Sequence, residues 1–77
     1  MHTFELFAVV RVSRLLRAGD DDYDDWATNV RPPRPGDVAT IVDVLAPDRF
    51  VVELVNDVGA TEWVSDLTAD ELEPFVS

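Results

Sequence analysis

Cysteine and lysine are both missing from this sequence, histidine occurs once, and no run of apolar residues is long. Without cysteine, neither a disulfide nor a thiolate-bound metal can supplement the core. The absence also fits a reducing compartment. No apolar run approaches the ~18 residues of a membrane-spanning helix, and no basic-then-apolar leader opens the chain. The expectation is a cytoplasmic protein with no membrane partner. Nucleophilic catalysis has little to draw on: His2 lies at a terminus, and Ser13, Ser65 and Ser77 have no evident base to activate them. Carboxylates abound, but acid catalysis needs one in an apolar pocket with a raised pKa. A chain of this size, filled by its own side chains, rarely has such a pocket. We expect no enzyme, no catalytic residue, no cofactor and no bound metal.

What is present is acid. Sixteen Asp and Glu face six arginines, a formal net charge of −10 on 77 residues. The acids are unevenly placed. Residues 1–35 carry six acids and five arginines, net −1, whereas residues 36–77 carry ten acids and only Arg49, net −9. An acidic skin keeps a small protein soluble and repels nucleic acid and anionic membranes. Composition bias of a host genome is an equally simple source of it. The length gives one domain, residues 1–77, and burial of only roughly 60–65% of the unfolded surface, so stability is expected to be marginal.

The stretch from Arg34 to Val44 organises the rest. Pro35 fixes φ and Gly36 permits a positive one, which makes a sharp turn. Val38 to Leu45 is rich in β-branched residues, which favour a strand. Apolar residues occupy both alternation registers there, which predicts either cover on both faces or a bulge. His2 to Val12 reads as the first strand, with Phe4, Leu6, Ala8, Val10 and Val12 facing inward. Arg49 to Asn56 is the next, and Asn56-Asp57-Val58-Gly59 supplies a tight reversal. Thr61 to Leu67 follows, and simple alternation admits only one of Trp63 and Val64 to the core. Thr68 with Glu71 three residues on is a capping-box pattern, cut short by Pro74, so it holds about one 3-10 turn. Phe75-Val76 reads as a closing strand. The predicted core is Leu6, Val10, Val12, Val38, Ile41, Val42, Phe50, Val52, Leu54, Val64, Leu67 and Leu72.

Four or five short strands, a long first loop and a helical turn before the last strand predict an all-β fold. The order is that of a small SH3-like barrel of about five antiparallel strands. Pairing of the last strand with the first would remove exposed edges.

Pro35-Gly-Asp-Val-Ala-Thr-Ile-Val-Asp-Val44, Arg49-Phe-Val-Val-Glu-Leu-Val-Asn-Asp-Val-Gly59 and Leu67-Thr-Ala-Asp-Glu-Leu-Glu-Pro74 carry a resemblance. The chain resembles a family of short bacterial SH3-like barrel proteins, a domain of unknown function, over roughly residues 4–16 and 34–76. It is more distantly similar to the SH3-like domain of nitrile hydratase β subunits and to KOW-type ribosomal barrels. The resemblance implies the fold and transfers no catalytic residue. Ala39 stands where that family often has glycine, and residues 18–33 form a longer and more acidic first loop than is usual there.

That insertion holds Asp20-Asp21-Asp22-Tyr23-Asp24-Asp25-Trp26, five carboxylates that must stay solvated. Asp20, Asp22 and Asp24 have the first spacings of a calcium loop, but Asp25 replaces its glycine, Arg31 replaces its closing glutamate, and no helices flank it. Nucleic-acid binding is disfavoured because the aspartates neutralise much of any patch made by Arg11, Arg14, Arg17, Arg31 and Arg34. An acidic surface imitating DNA is the reverse possibility. Tyr23 and Trp26 have the character of interface anchors; the simpler reading of Trp26 is that it folds back onto the barrel and pins the loop. The expected function is a non-enzymatic acidic interaction module that binds a basic protein partner through Asp20 to Trp26. An immunity or antitoxin-like role, masking a cationic toxin, is one concrete form. The alternative, from the nitrile hydratase resemblance, is an accessory barrel docking on a metalloenzyme.

Overall fold

A computed structural model describes residues 4–17 and 29–75 of the chain. Five strands form one antiparallel sheet: β1 (Val9–Val12), β2 (Val38–Ala46), β3 (Arg49–Val55), β4 (Thr61–Thr68) and β5 (Leu72–Pro74). A 3-10 turn, Ala69–Glu71, separates the last two. The strand order is β4-β3-β2-β1-β5, so the final strand does lie against the first, as expected. The sheet is open in its hydrogen bonding, with β4 and β5 as its edges. Nevertheless Trp63 and Leu67 of β4 share one buried cluster with Leu72 of β5 and Val10 and Val12 of β1. The sheet therefore curls around a single core, and side chains rather than backbone bonds join its edges.

Local chemistry explains the turns. The Asp37 N–H donates to the Arg34 carbonyl (3.1 Å), and Gly36 sits at φ +96°, where a β-carbon would be strained. In the β3–β4 hairpin the Asn56 side-chain oxygen accepts from the N–H groups of Val58 and Ala60, and Gly59 takes φ +84°. The 3-10 turn is held by Glu71, whose carboxylate accepts from the Thr68 N–H (3.0 Å) and hydroxyl (3.2 Å).

Of the two readings open for β2, cover on both faces or a bulge, the structure has the bulge, at Val42, and a second one falls at Leu45. Ala39 and Ile41 take the core side, which leaves Val38 on the outer face and Val42 half-buried, a correction to the predicted core. In β4 the inward residues are Trp63, Ser65 and Leu67, not Val64. Leu67 shares the parity of Trp63, so placing both Val64 and Leu67 inside would have required an irregularity between them. The irregularity lies instead at Glu62, before Trp63. Val51 is also buried, and Leu54 is half-buried against the core.

The first strand is shorter than expected. A turn closed by the Ala8 N–H on the Glu5 carbonyl interrupts it, with Phe7 at φ +68° and 69% exposed. The reversal carries Leu6 out to solvent. Phe4 reaches the core from the far side of the turn and packs edge-on against Phe50, 5.7 Å between ring centres. The closing strand likewise starts earlier than Phe75, because Leu72 must enter the core directly after the 3-10 turn.

Candidate functional site

The first loop leaves the sheet after β1 and rejoins it before β2. Its two described flanks stand on the same edge of the sheet. On the outgoing side the Ser13 N–H donates to the Glu71 carbonyl (2.8 Å) and Arg14 Nε to the Asp70 carbonyl (3.0 Å). The Leu16 N–H donates to Glu71 Oε2 (3.1 Å), and the Arg17 guanidinium to the Asp66 carbonyl. On the returning side Asn29 Oδ1 accepts from the Val64 N–H (3.0 Å), and the Val30 N–H donates to the Glu62 carbonyl (2.9 Å). Residues 62, 64 and 66 alternate along β4, and these are the backbone groups that an edge strand would otherwise leave open. Here the chain's own flanks occupy them, which blunts strand addition at this edge.

Behind the returning flank lies a charge cluster. Arg31 Nη1 and Nη2 donate to the two carboxylate oxygens of Asp37, at 2.8 and 3.1 Å, the bidentate geometry that planar guanidinium favours. Asp37 Oδ2 also accepts from Trp63 Nε1 (3.1 Å) and from the Arg34 N–H (2.9 Å). Arg31 Nε lies 3.5 Å from Glu62 Oε1, and Asn56 Nδ2 donates to Glu62 Oε2 at 3.0 Å. Burial by itself would push the Asp37 carboxyl up. The hydrogen bonds from Arg31, Arg34 and Trp63, with the charge of Arg31, outweigh it and hold the carboxyl below its ordinary value. The same bonds to Asp37 raise Arg31. With its donors in place Asp37 is an acceptor fixed in the ionised state, suited to pinning a loop rather than to moving protons. A shallow open cavity of about 480 Å³ adjoins Arg31 and Glu62, walled by Leu54, Val55 and Val58 of the β3–β4 hairpin.

The sequence places partner contacts at Asp20, Asp21, Asp22, Tyr23, Asp24, Asp25 and Trp26, and all seven lie outside the described residues. The anchors at Arg17, Asn29, Arg31 and Asp37 were not anticipated. One local signal was available for Asp37. An aspartate directly after a Pro-Gly turn is well placed to bond back to the N–H three residues earlier. Nothing local signals its pairing with Trp63, twenty-six positions away.

A family model described as "Domain of unknown function (DUF4926)" matches residues 31–74, more than half of the chain. The matched span runs from Arg31 to Pro74 and leaves out the acidic stretch. No curated protein and no solved structure matches the chain.

Proposed function

The chain belongs to the DUF4926 family, which brings no activity with it, and from that premise we propose a function on the chain's own chemistry. The protein is a non-enzymatic acidic interaction module, an SH3-like barrel of bacterial type that works in the cytoplasm and binds a basic protein partner. The strand order, the long first loop and the 3-10 turn before the last strand support the barrel reading.

One observation carries the partner chemistry. Five of the six arginines are engaged within the chain: Arg11 with Glu73, Arg31 with Asp37 and Glu62, Arg49 with Asp66, and Arg14 and Arg17 with backbone carbonyls. Meanwhile the exposed carboxylates of Glu5, Asp48, Asp57 and Asp70 meet no arginine among the described residues. Most of the arginine charge is thus paired within the chain while these carboxylates are not, so the surface that remains is net acidic and attracts cations. The acidic run Asp20 to Asp25 adds to that charge, with the flanks on either side of it anchored to β4.

Affinity capture from the native host, followed by binding measurements with the identified protein, tests the reading. The partner should be basic, with association that slows as salt rises, because steering acts mainly on the on-rate. Replacing Asp21, Asp22 and Asp24 by Asn should slow association and flatten its salt dependence while leaving the fold intact. Trp26→Ala should cost ~2 kcal/mol or more of binding if the ring is an anchor. Capture of a neutral or acidic partner, or binding indifferent to salt, would refute the proposal.

A further inference from the structure

The outer face of the β5-β1-β2 corner differs from the rest of the surface. Val9 and Arg11 point outward from β1, since Val10 and Val12 between and beyond them fill the core. Across the register Arg11 lies opposite Val38 on β2 and Glu73 on β5, and Val9 lies opposite Thr40. Arg11 Nη2 meets Glu73 Oε2 at 2.9 Å, which places both on this face. Phe75, two positions beyond Glu73, is tied to the sheet by its N–H to the Val9 carbonyl (3.4 Å). Val9, Val38 and Phe75 are 47%, 39% and 38% exposed.

The face therefore combines three apolar side chains with one positive and one negative group, and it carries no net charge. The exposed apolar residues around the β2–β3 and β3–β4 turns lack that neutrality. Val44 and Leu45 follow Asp43 and precede Asp48, and Val55 and Val58 flank Asp57 with Glu62 across the hairpin. On a molecule of net charge −10, two copies repel wherever acids face each other. The β5-β1-β2 face escapes that penalty and is also self-complementary: under a two-fold axis Arg11 of each copy can meet Glu73 of the other.

We propose that this face is a homodimer interface, in which a second copy of the chain covers Val9, Val38 and Phe75 around a ring of exchanged Arg11–Glu73 pairs. The surface is separate from the β4 edge, so it stands or falls independently of the basic-partner reading.

Sedimentation equilibrium of the full chain, from about 10 µM to about 1 mM, the range of a weak association, tests it. The mass should climb from 8.6 kDa toward twice that value. Association should tighten between about 0.15 M and about 1 M salt, as apolar contact persists while overall repulsion is screened. Val9→Asp should weaken association by roughly tenfold or more, because it buries an unpaired charge. Phe75→Ser should also weaken it and serves as the second variant if Val9→Asp does not fold, which circular dichroism reports. Arg11→Glu should weaken association by placing two acids on each face, and adding Glu73→Arg should restore it. A chain that stays at 8.6 kDa throughout overturns the proposal and leaves the face to a different partner. A dimer indifferent to both Val9→Asp and Phe75→Ser overturns it too, since another face must then be used.

Discussion

The two flanks of the first loop are held by different chemistry on one strand edge. The outgoing flank rests on Arg14 and Arg17 bonded to backbone carbonyls and on a buried carboxylate: Glu71 takes the Leu16 N–H at one oxygen and the Thr68 N–H and hydroxyl at the other. The returning flank rests on an ion pair, with Arg31 forked onto Asp37 and Trp63 bracing the same carboxylate from the core. Both carboxylates link a loop to the sheet, Asp37 through a forked guanidinium and Glu71 through backbone N–H and hydroxyl donors. The loop's two ends should therefore respond differently to mutation and pH, even though they stand two residues apart on β4.

The largest expected effect joins that comparison to the core. Trp63 is fully buried and also donates to Asp37, so Trp63→Ala should cost ~3–5 kcal/mol and leave the chain near or past its unfolding midpoint in water. Trp63→Phe keeps most of the packing and loses the N–H bond, so it should cost less, ~1–2 kcal/mol. Urea titrations followed by far-UV circular dichroism measure both. Equal losses for Ala and Phe would mean that the bond to Asp37, not the ring, governs.

Next come the two carboxylates. Glu71→Ala leaves the Thr68 and Leu16 donors without their buried acceptor and should cost ~2–3 kcal/mol. Asp37→Ala, at a partly solvated pair, should cost ~2 kcal/mol. Hydrogen exchange distinguishes them by place: Glu71→Ala should expose the Leu16 amide first, and Asp37→Ala the Arg34 amide. Loss of protection at both amides in either variant would collapse the distinction between the flanks.

The pH response sharpens it further. Asp37 has a folded pKa below its unfolded value, so its contribution is complete above the unfolded value, about 3.9, and is lost as pH falls through the lowered one. The urea midpoint should therefore drop on acidification below about pH 4, and Asp37→Asn should shrink that drop. An unchanged acid limb in Asp37→Asn would show that other carboxylates dominate.

The smallest effect concerns the surface. Raising salt from a few millimolar to about 0.1 M shortens the Debye length to about 10 Å and should lift the melting temperature by a few degrees, since like charges then repel less. A flat or falling response would mean that the arginine contacts at β4 already offset the acids locally.

Alternation and turn chemistry alone determined much of this protein: β3 and β4 to within a residue, the Pro35-Gly36 and Asn56–Gly59 turns and the 3-10 turn. These follow from steric preferences and apolar period, which act over a few residues. Tertiary structure decided the rest. Trp63 displaced Val64 from the core because the extra residue falls at Glu62, and the position of a bulge depends on the partner strand. Leu6 left the core because Phe7 adopts a positive φ that its own residue type disfavours, held by its N–H to the Ile41 carbonyl (2.8 Å). Arg31, Asp37 and Trp63 become one cluster only after β4 has folded beside the returning flank, for a guanidinium, a carboxylate and an indole carry no mark in sequence of the neighbours that folding will give them.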